Sequence, residues 1–94
     1  MFEVRSRPDG GAELIGRLDA SEVEAARKSL DALSGTVVLD CSRLDYVSSA
    51  GIGLLMETHK RLLKTGHRLA LSRMLPRVRN VFVYAGLDRV LTLD

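Results

Sequence analysis

Residues 36–55 decide the fold, and their most informative part is residues 45–55, Asp-Tyr-Val-Ser-Ser-Ala-Gly-Ile-Gly-Leu-Leu, which we call the serine segment. Thr36–Asp40 indicates a strand, and its run Thr36–Leu39 predicts burial on both faces. A short polar link follows, and Ser48 and Ser49 then open an amphipathic helix. A hydroxyl at a helix N-terminus lies among unpaired backbone N–H groups. Such a serine either caps the helix or is a place where a phosphate is added and removed.

The N-terminal side of this stretch supplies two strands and a helix. Strands are predicted at Phe2–Val4 and Ala12–Gly16, with a turn between them. The following helix is capped by Asp19 or by Ser21, the latter as part of a capping box with Glu24. Its apolar positions recur at helical spacing and are Val23, Ala26, Leu30 and Leu33.

The C-terminal side continues the alternation. The serine helix runs from Ser49 to about Thr65, and its apolar stripe includes His59. A strand follows at His67–Ser72, Pro76 begins a third helix, and Val90–Leu93 forms an edge strand. The order β-β-α-β-α-β-α-β predicts an α/β fold. Four to five strands form a mixed, largely parallel sheet that packs against three or more helices.

Composition limits the class of protein. The 94 residues are 46% hydrophobic, which suits one domain, placed here over residues 1–94. The sequence has no apolar run of about 18 residues and no signal-peptide centre, so we expect no membrane span and no export. Cys41 is the only cysteine, which favours the cytoplasm and a buried, unreactive thiol.

The charges are unevenly divided along the chain. Residues 1–50 carry six basic and nine acidic side chains, whereas residues 51–94 carry eight and three. A basic half can indicate nucleic-acid binding. The aromatic side chains that alternate with basic ones in single-strand binders are missing, however. We therefore expect no direct contact with nucleic acid.

The chemically active residue types form no catalytic pattern. Val47 stands where the nucleophile elbow Gly-x-Ser-x-Gly needs its first glycine, and Gly51–Gly53 is too short for a dinucleotide-binding loop. Cys41, His59 and His67 lack the spacing of a metal site, and His59 is expected to pack against the sheet. We predict a binding protein rather than an enzyme, with no catalytic residues, no metal and no cofactor.

Three carboxylates are expected near the serines. Asp40 and Asp45 flank the polar link, and the loop after the second strand brings Asp19 towards the same edge of the sheet. Their ordinary role is to cap turns and helices. Alternatively they form an acidic rim. A phosphate on Ser49 adds a charge of about −1.5 to −2 beside that rim, and a partner closing over it would have to bury like charges.

Three motifs resemble the STAS domain family. Gly16-Arg17-Leu18-Asp19 is similar to the family's Gly-x-Leu-Asp motif, and the serine segment resembles its phosphorylation-site segment. Val81–Val90 is similar to its last helix and the Gly-Leu turn that follows. The resemblance covers nearly the whole chain and is closest to the stand-alone bacterial anti-sigma-factor antagonists. It implies a STAS fold.

The resemblance also implies a partner-switching mechanism. In that family the unphosphorylated antagonist binds an anti-sigma factor, which is itself a serine kinase of the histidine-kinase-like ATPase fold, and a sigma factor is released. The kinase then uses Mg-ATP to phosphorylate the antagonist on one serine, and the complex dissociates. A PP2C-type phosphatase removes the phosphate.

The site residues follow from the same resemblance. The acceptor is the serine two residues before the glycine, which is Ser49; Ser48 is the alternative, because it replaces a frequent aspartate. Partner contacts are implied for Asp19, Asp45, Ser48, Ser49, Ala50, Gly51, Ile52 and Leu54. For Ile52 a place in the core is the favoured alternative.

A second class of STAS domain provides an alternative function. Small members serve as cytoplasmic subunits of lipid-transport ATP-binding-cassette complexes. The corresponding residue there is often a threonine that contacts the ATPase and is not cycled by a kinase. The double serine at Ser48 and Ser49 favours the antagonist over this subunit.

Overall fold

The computed structural model describes residues 1–93, which form five strands and three α-helices. The strands are β1 (Phe2–Ser6), β2 (Ala12–Leu18), β3 (Val37–Val47), β4 (Leu69–Ser72) and β5 (Thr92–Leu93). The helices are α1 (Val23–Asp31), α2 (Ser49–Leu63) and α3 (Pro76–Tyr84), with short 3-10 turns at Ala20–Glu22 and Leu87–Arg89. The predicted order of elements is confirmed.

The strands form one sheet in chain order. β1 and β2 make an antiparallel hairpin, and β2 to β5 run parallel. Helical crossovers connect the parallel strands, and one continuous core is built from side chains of both helices and strands. The predicted mixed, largely parallel sheet of an α/β fold is therefore confirmed, with β1 and β5 at its edges.

β3 differs most from the prediction. The polar link expected between Asp40 and Asp45 is instead part of the strand, which continues to Val47 and pairs with β2. The register against β2 shifts twice, because β3 carries one extra residue after Asp40 and another after Leu44. Each β-bulge reverses the alternation of inward and outward side chains. Buried positions therefore fall at Cys41, Leu44 and Val47, a spacing that does not indicate a strand.

The prediction that Thr36–Leu39 is buried on both faces is wrong. Val37 and Leu39 are fully buried, but Val38 between them is 47% exposed. Successive residues of a strand point to opposite faces of the sheet. The core therefore covers only one face of the sheet at this point.

The start of α1 also differs from the prediction. Asp19 caps the 3-10 turn, and its Oδ1 accepts a hydrogen bond from the Ser21 backbone N–H at 3.1 Å. α1 begins only at Val23, and its N-cap residue Glu22 makes no side-chain cap bond. The predicted capping box of Ser21 and Glu24 is wrong. Because a 3-10 turn comes first, the α-helix begins after Ser21, and Ser21 is not its N-cap residue. The cap by Asp19 is confirmed.

Two buried residues behave as predicted. His59 is 6% exposed, and its Nδ1 accepts a hydrogen bond from the Leu69 backbone N–H at 3.3 Å. Cys41 is fully buried, and burial raises the pKa of its thiol to about 12. Its thiol is therefore protonated and unreactive at neutral pH. Within residues 1–93, no helix has the length and apolar character needed to cross a membrane.

Candidate functional site

The serine segment lies where β2, β3 and α2 meet. The Ser48 backbone N–H donates to the carbonyl oxygen of Leu18 at 2.9 Å, which ties the start of α2 to the end of β2. Gly51 is buried in this junction, and a Cβ placed on it would lie 2.7 Å from the same carbonyl oxygen. Glycine therefore allows the helix to approach the strand. The contact brings Asp19, the residue after Leu18, to the same edge as the serines.

The two serines have different environments. Ser48 is the half-buried N-cap residue of α2, and its Oγ accepts a hydrogen bond from the Gly51 backbone N–H at 3.1 Å. Ser49 is the first residue of the helix and is exposed. One hydroxyl is thus engaged in capping, while its neighbour faces solvent at the positive end of the helix dipole. A modifying enzyme could reach Ser49 without breaking the cap.

Asp19 and Asp45 provide negative charge at this edge. Asp45 is exposed, and its Oδ1 lies 3.7 Å from Nη2 of Arg77 on α3. The carboxylate of Asp19 accepts hydrogen bonds from the Ser21 hydroxyl at 2.6 Å and from its backbone N–H. The hydroxyl contact is the main reason why the pKa of Asp19 is lowered. Asp19 is therefore ionised at neutral pH.

The prediction that Asp40 belongs to an acidic rim is wrong. Asp40 is 2% exposed, and its Oδ2 accepts hydrogen bonds from Arg7 at 2.7 Å and Arg73 at 3.3 Å. The Ser42 backbone N–H donates to Oδ1 at 2.9 Å. Burial raises the pKa of Asp40, but these hydrogen bonds and the charge of Arg73 outweigh burial and hold the pKa at about 2. Asp40 is therefore the centre of a structural ion-pair cluster with Arg7 and Arg73.

The residues predicted to contact a partner divide by exposure. Those that are exposed are Asp45, Ser49 and Ala50, and those that are half-buried are Asp19, Ser48 and Ile52. Gly51 and Leu54 are buried. Leu54 is 2% exposed and belongs to the core, because it lies one helical turn after the buried Gly51 on the same face of α2. Its side chain is not available to a partner, and Ile52 packs at the margin of the core.

Arg17, Tyr46 and Arg77 border the site and were not predicted as site residues. The Arg17 guanidinium carbon lies 4.3 Å from the centre of the Tyr46 ring, and Arg77 pairs with Asp45. Arg17 and Tyr46 lie inside the motifs quoted above. Their pairing between β2 and β3 depends on the bulges of β3, which cannot be recognised from the sequence. Arg77 comes from α3, and no local pattern links it to the serine segment.

Sequence comparison identifies the family. The family model described as "Mlab, STAS domain" matches residues 4–93. The chain belongs to the STAS domain family. This STAS domain is 35% identical over 74 residues to BtrV of Bordetella bronchiseptica, which is named as an anti-sigma factor antagonist. The match covers 78% of this chain and 64% of BtrV, so the chain spans less than two thirds of that relative.

Solved structures share the fold of this STAS domain. An anti-sigma factor antagonist of Thermotoga maritima superposes with a TM-score of 0.82 at 19% identity, over 99% of this chain and 85% of that one. SpoIIAA in its unphosphorylated form gives 0.79 at 24% identity, over 100% and 88% of the two chains. Phosphorylated SpoIIAA of Bacillus gives 0.71 at 23% identity, over 100% and 91%. The predicted STAS fold is confirmed.

Proposed function

We propose that this STAS domain is a binding switch controlled by phosphorylation of Ser49. Its unphosphorylated form binds an anti-sigma factor that is also a serine kinase, and a sigma factor is thereby released. The phosphorylated form releases the kinase. The observation that carries the proposal is the contrast between Ser48, whose hydroxyl caps α2, and Ser49, which is exposed beside it. The relative named as an anti-sigma factor antagonist supports this class of partner.

A phosphate on Ser49 changes the charge of the surface while the Ser48 cap stays in place. The N-terminal end of α2 favours the added negative charge. The same edge carries the carboxyl groups of Asp19 and Asp45, so a partner that closes over Ser49 has to bury the phosphate beside acidic side chains. The expected consequence is loss of binding by a protein that remains folded.

The domain acts by binding in this proposal and catalyses no reaction itself. The kinase supplies the chemistry with Mg-ATP, a PP2C-type phosphatase reverses it, and the cycle takes place in the cytoplasm. Residues 1–94 act as one domain. The surface offered to the kinase consists of the exposed Asp45, Ser49 and Ala50 with the half-buried Asp19, Ser48 and Ile52.

Paired-bait capture tests this function. Wild type, Ser49→Ala and Ser49→Asp are used as baits in lysate of cells that express the protein naturally, and captured proteins are identified by mass spectrometry. We expect wild type and Ser49→Ala to retain a small ATPase-fold kinase, and Ser49→Asp to retain it at least about tenfold less. Melting temperatures of the three baits control for folding.

Two results of this capture would overturn the proposal. One is equal retention of the kinase by Ser49→Ala and Ser49→Asp. The other is retention of a membrane-transporter ATPase by all three baits, which would favour the cytoplasmic subunit of a lipid-transport complex and reduce Ser49 to a structural residue.

Asp19→Asn provides an independent variant. Asparagine preserves the cap of the 3-10 turn, since both side chains are good N-cap residues, but it removes the charge. We expect retention of the kinase to fall by more than any drop in melting temperature accounts for. If lost stability accounted for all of the lost retention, Asp19 would be only a cap.

A further inference from the structure

A groove between the end of β3 and α3 has the properties of a small-molecule site. Its volume is about 340 Å³, within the range of about 300–1,000 Å³ that is typical of ligand pockets. Its floor is apolar and consists of the buried Val47 and Val78 with the exposed Val81. We call it the anion groove.

The groove arises from the topology of the sheet. β4 ends at Ser72, which pairs with Asp40, so β3 continues to Val47 beyond its neighbour on that side. α3 covers this part of the strand and buries Val78 and Phe82. A helix cannot follow the edge of a strand as closely as another strand does, and the anion groove is the space left between them.

The charged residues that line the anion groove are two arginines, Arg17 and Arg77, and one carboxylate, Asp45, so positive charge is in excess. The Arg17 guanidinium stacks on the Tyr46 ring at 4.3 Å, and a stacked guanidinium keeps its in-plane N–H groups free to donate. Within residues 1–93, Arg17 takes part in no salt bridge. Arg77 lies in the first turn of α3, which has no acidic residue. Arg77 forms an exposed ion pair with Asp45, and because their 3.7 Å separation is longer than a hydrogen bond, the N–H groups of Arg77 remain available to an anion.

We propose that the anion groove binds a small anion carried on a compact apolar or aromatic body. The phosphate or carboxylate lies between Arg17 and Arg77, and the body packs on the valine floor and the Tyr46 ring. This site goes beyond the proposed function and does not depend on it. Val47 directly precedes the Ser48 cap, so an occupied anion groove would adjoin the serine segment.

An NMR titration with three probes tests the site. Phenyl phosphate combines the anion with the aromatic body, inorganic phosphate supplies the anion alone, and benzyl alcohol supplies the body alone. We expect saturable amide shifts at the anion groove with phenyl phosphate, with a Kd of about 1 mM or below. Each of the other two probes should bind at least about fivefold more weakly.

Three arginine variants locate the binding. Arg17→Gln and Arg77→Gln should each weaken phenyl phosphate binding by about fivefold or more, since each removes a charged donor. Arg79→Gln, on α3 but outside the anion groove, should bind as wild type does. The proposal is overturned if no saturable shift occurs, if inorganic phosphate binds as well as phenyl phosphate, or if Arg79→Gln weakens binding as much as Arg77→Gln.

Discussion

The two halves of β3 differ in pairing and in burial. The first half, Val37–Asp40, pairs with β4 along its length and with β2 from Leu39, and it ends at a carboxylate held by two arginines. The second half, residues 41–47, pairs with β2 alone, contains both bulges and leads into the exposed Ser49. The first half therefore fixes the sheet, while the second half leads to the candidate site.

The largest expected effect is a difference in stability between alanine variants of two carboxylates, one from each half of β3. Asp40→Ala should lower the free energy of unfolding by about 2–4 kcal/mol, because Arg7 and the Ser42 N–H lose a buried acceptor. Asp45→Ala should change it by less than about 0.5 kcal/mol, because its ion pair is exposed. Urea unfolding measures both values. Equal losses in the two variants would remove the distinction between the halves.

Two glycines of α2 test how closely the second half is packed. Gly51→Ala should cost about 1–3 kcal/mol, since the new Cβ would lie 2.7 Å from the Leu18 carbonyl oxygen and 3.0 Å from Val47 Cγ2. Gly53→Ala is the matched control, with no atom within 4 Å of the new Cβ. It should gain about 0.5–1 kcal/mol from helix propensity. Thermal melts measure both variants. A shift of the melting temperature in the same direction for both would contradict this account of the packing.

Acid unfolding measures how much the Asp40 carboxylate, in the first half of β3, contributes to stability. The pKa of Asp40 is lowered from 3.8 to about 2 in the folded protein, so its contribution is complete above the unfolded value and is lost as the pH falls from about 4 towards 2. After allowance for the exposed arginines, the loss is about 1–2 kcal/mol. Unfolding of wild type and Asp40→Asn across this window measures it. The same pH slope in both would show that Asp40 does not contribute.

The smallest expected effect distinguishes the two serines. Ser48→Ala should destabilise the protein by about 1 kcal/mol, because α2 loses its cap. Ser49→Ala should be neutral or gain a few tenths of a kcal/mol, since alanine is the better helix former. Chemical unfolding of the two variants provides the comparison. A larger loss for Ser49→Ala would mean that the serines have exchanged roles.

Local signals were enough to predict most of the fold. α2 has an apolar stripe and a serine start, α3 begins at Pro76, and the strands alternate with helices in a parallel arrangement. The position of the serines at the end of β3 follows from the same order. These features depend on neighbouring residues along the chain, which a sequence displays directly.

The missed features depend on residues that are distant in sequence. The bulges of β3 are defined only by its register with β2, and without them Cys41, Leu44 and Val47 do not form a strand pattern. The ion pairs of Asp40 are not evident from the sequence, because Arg7 and Arg73 lie far from it along the chain on either side. The anion groove likewise needs the position of α3 against β3.

Mapping the phosphorylated residue tests the central claim most directly. Wild type, Ser48→Ala and Ser49→Ala are incubated with Mg-ATP and lysate of cells that express the protein naturally, and then digested with trypsin. The wild-type peptide Leu44–Lys60 contains both serines, and its fragment ions distinguish them. The account predicts phosphate on Ser49 in wild type and in Ser48→Ala, and none in Ser49→Ala. Phosphate on Ser48 of the wild type, or undiminished phosphorylation of Ser49→Ala, would contradict it.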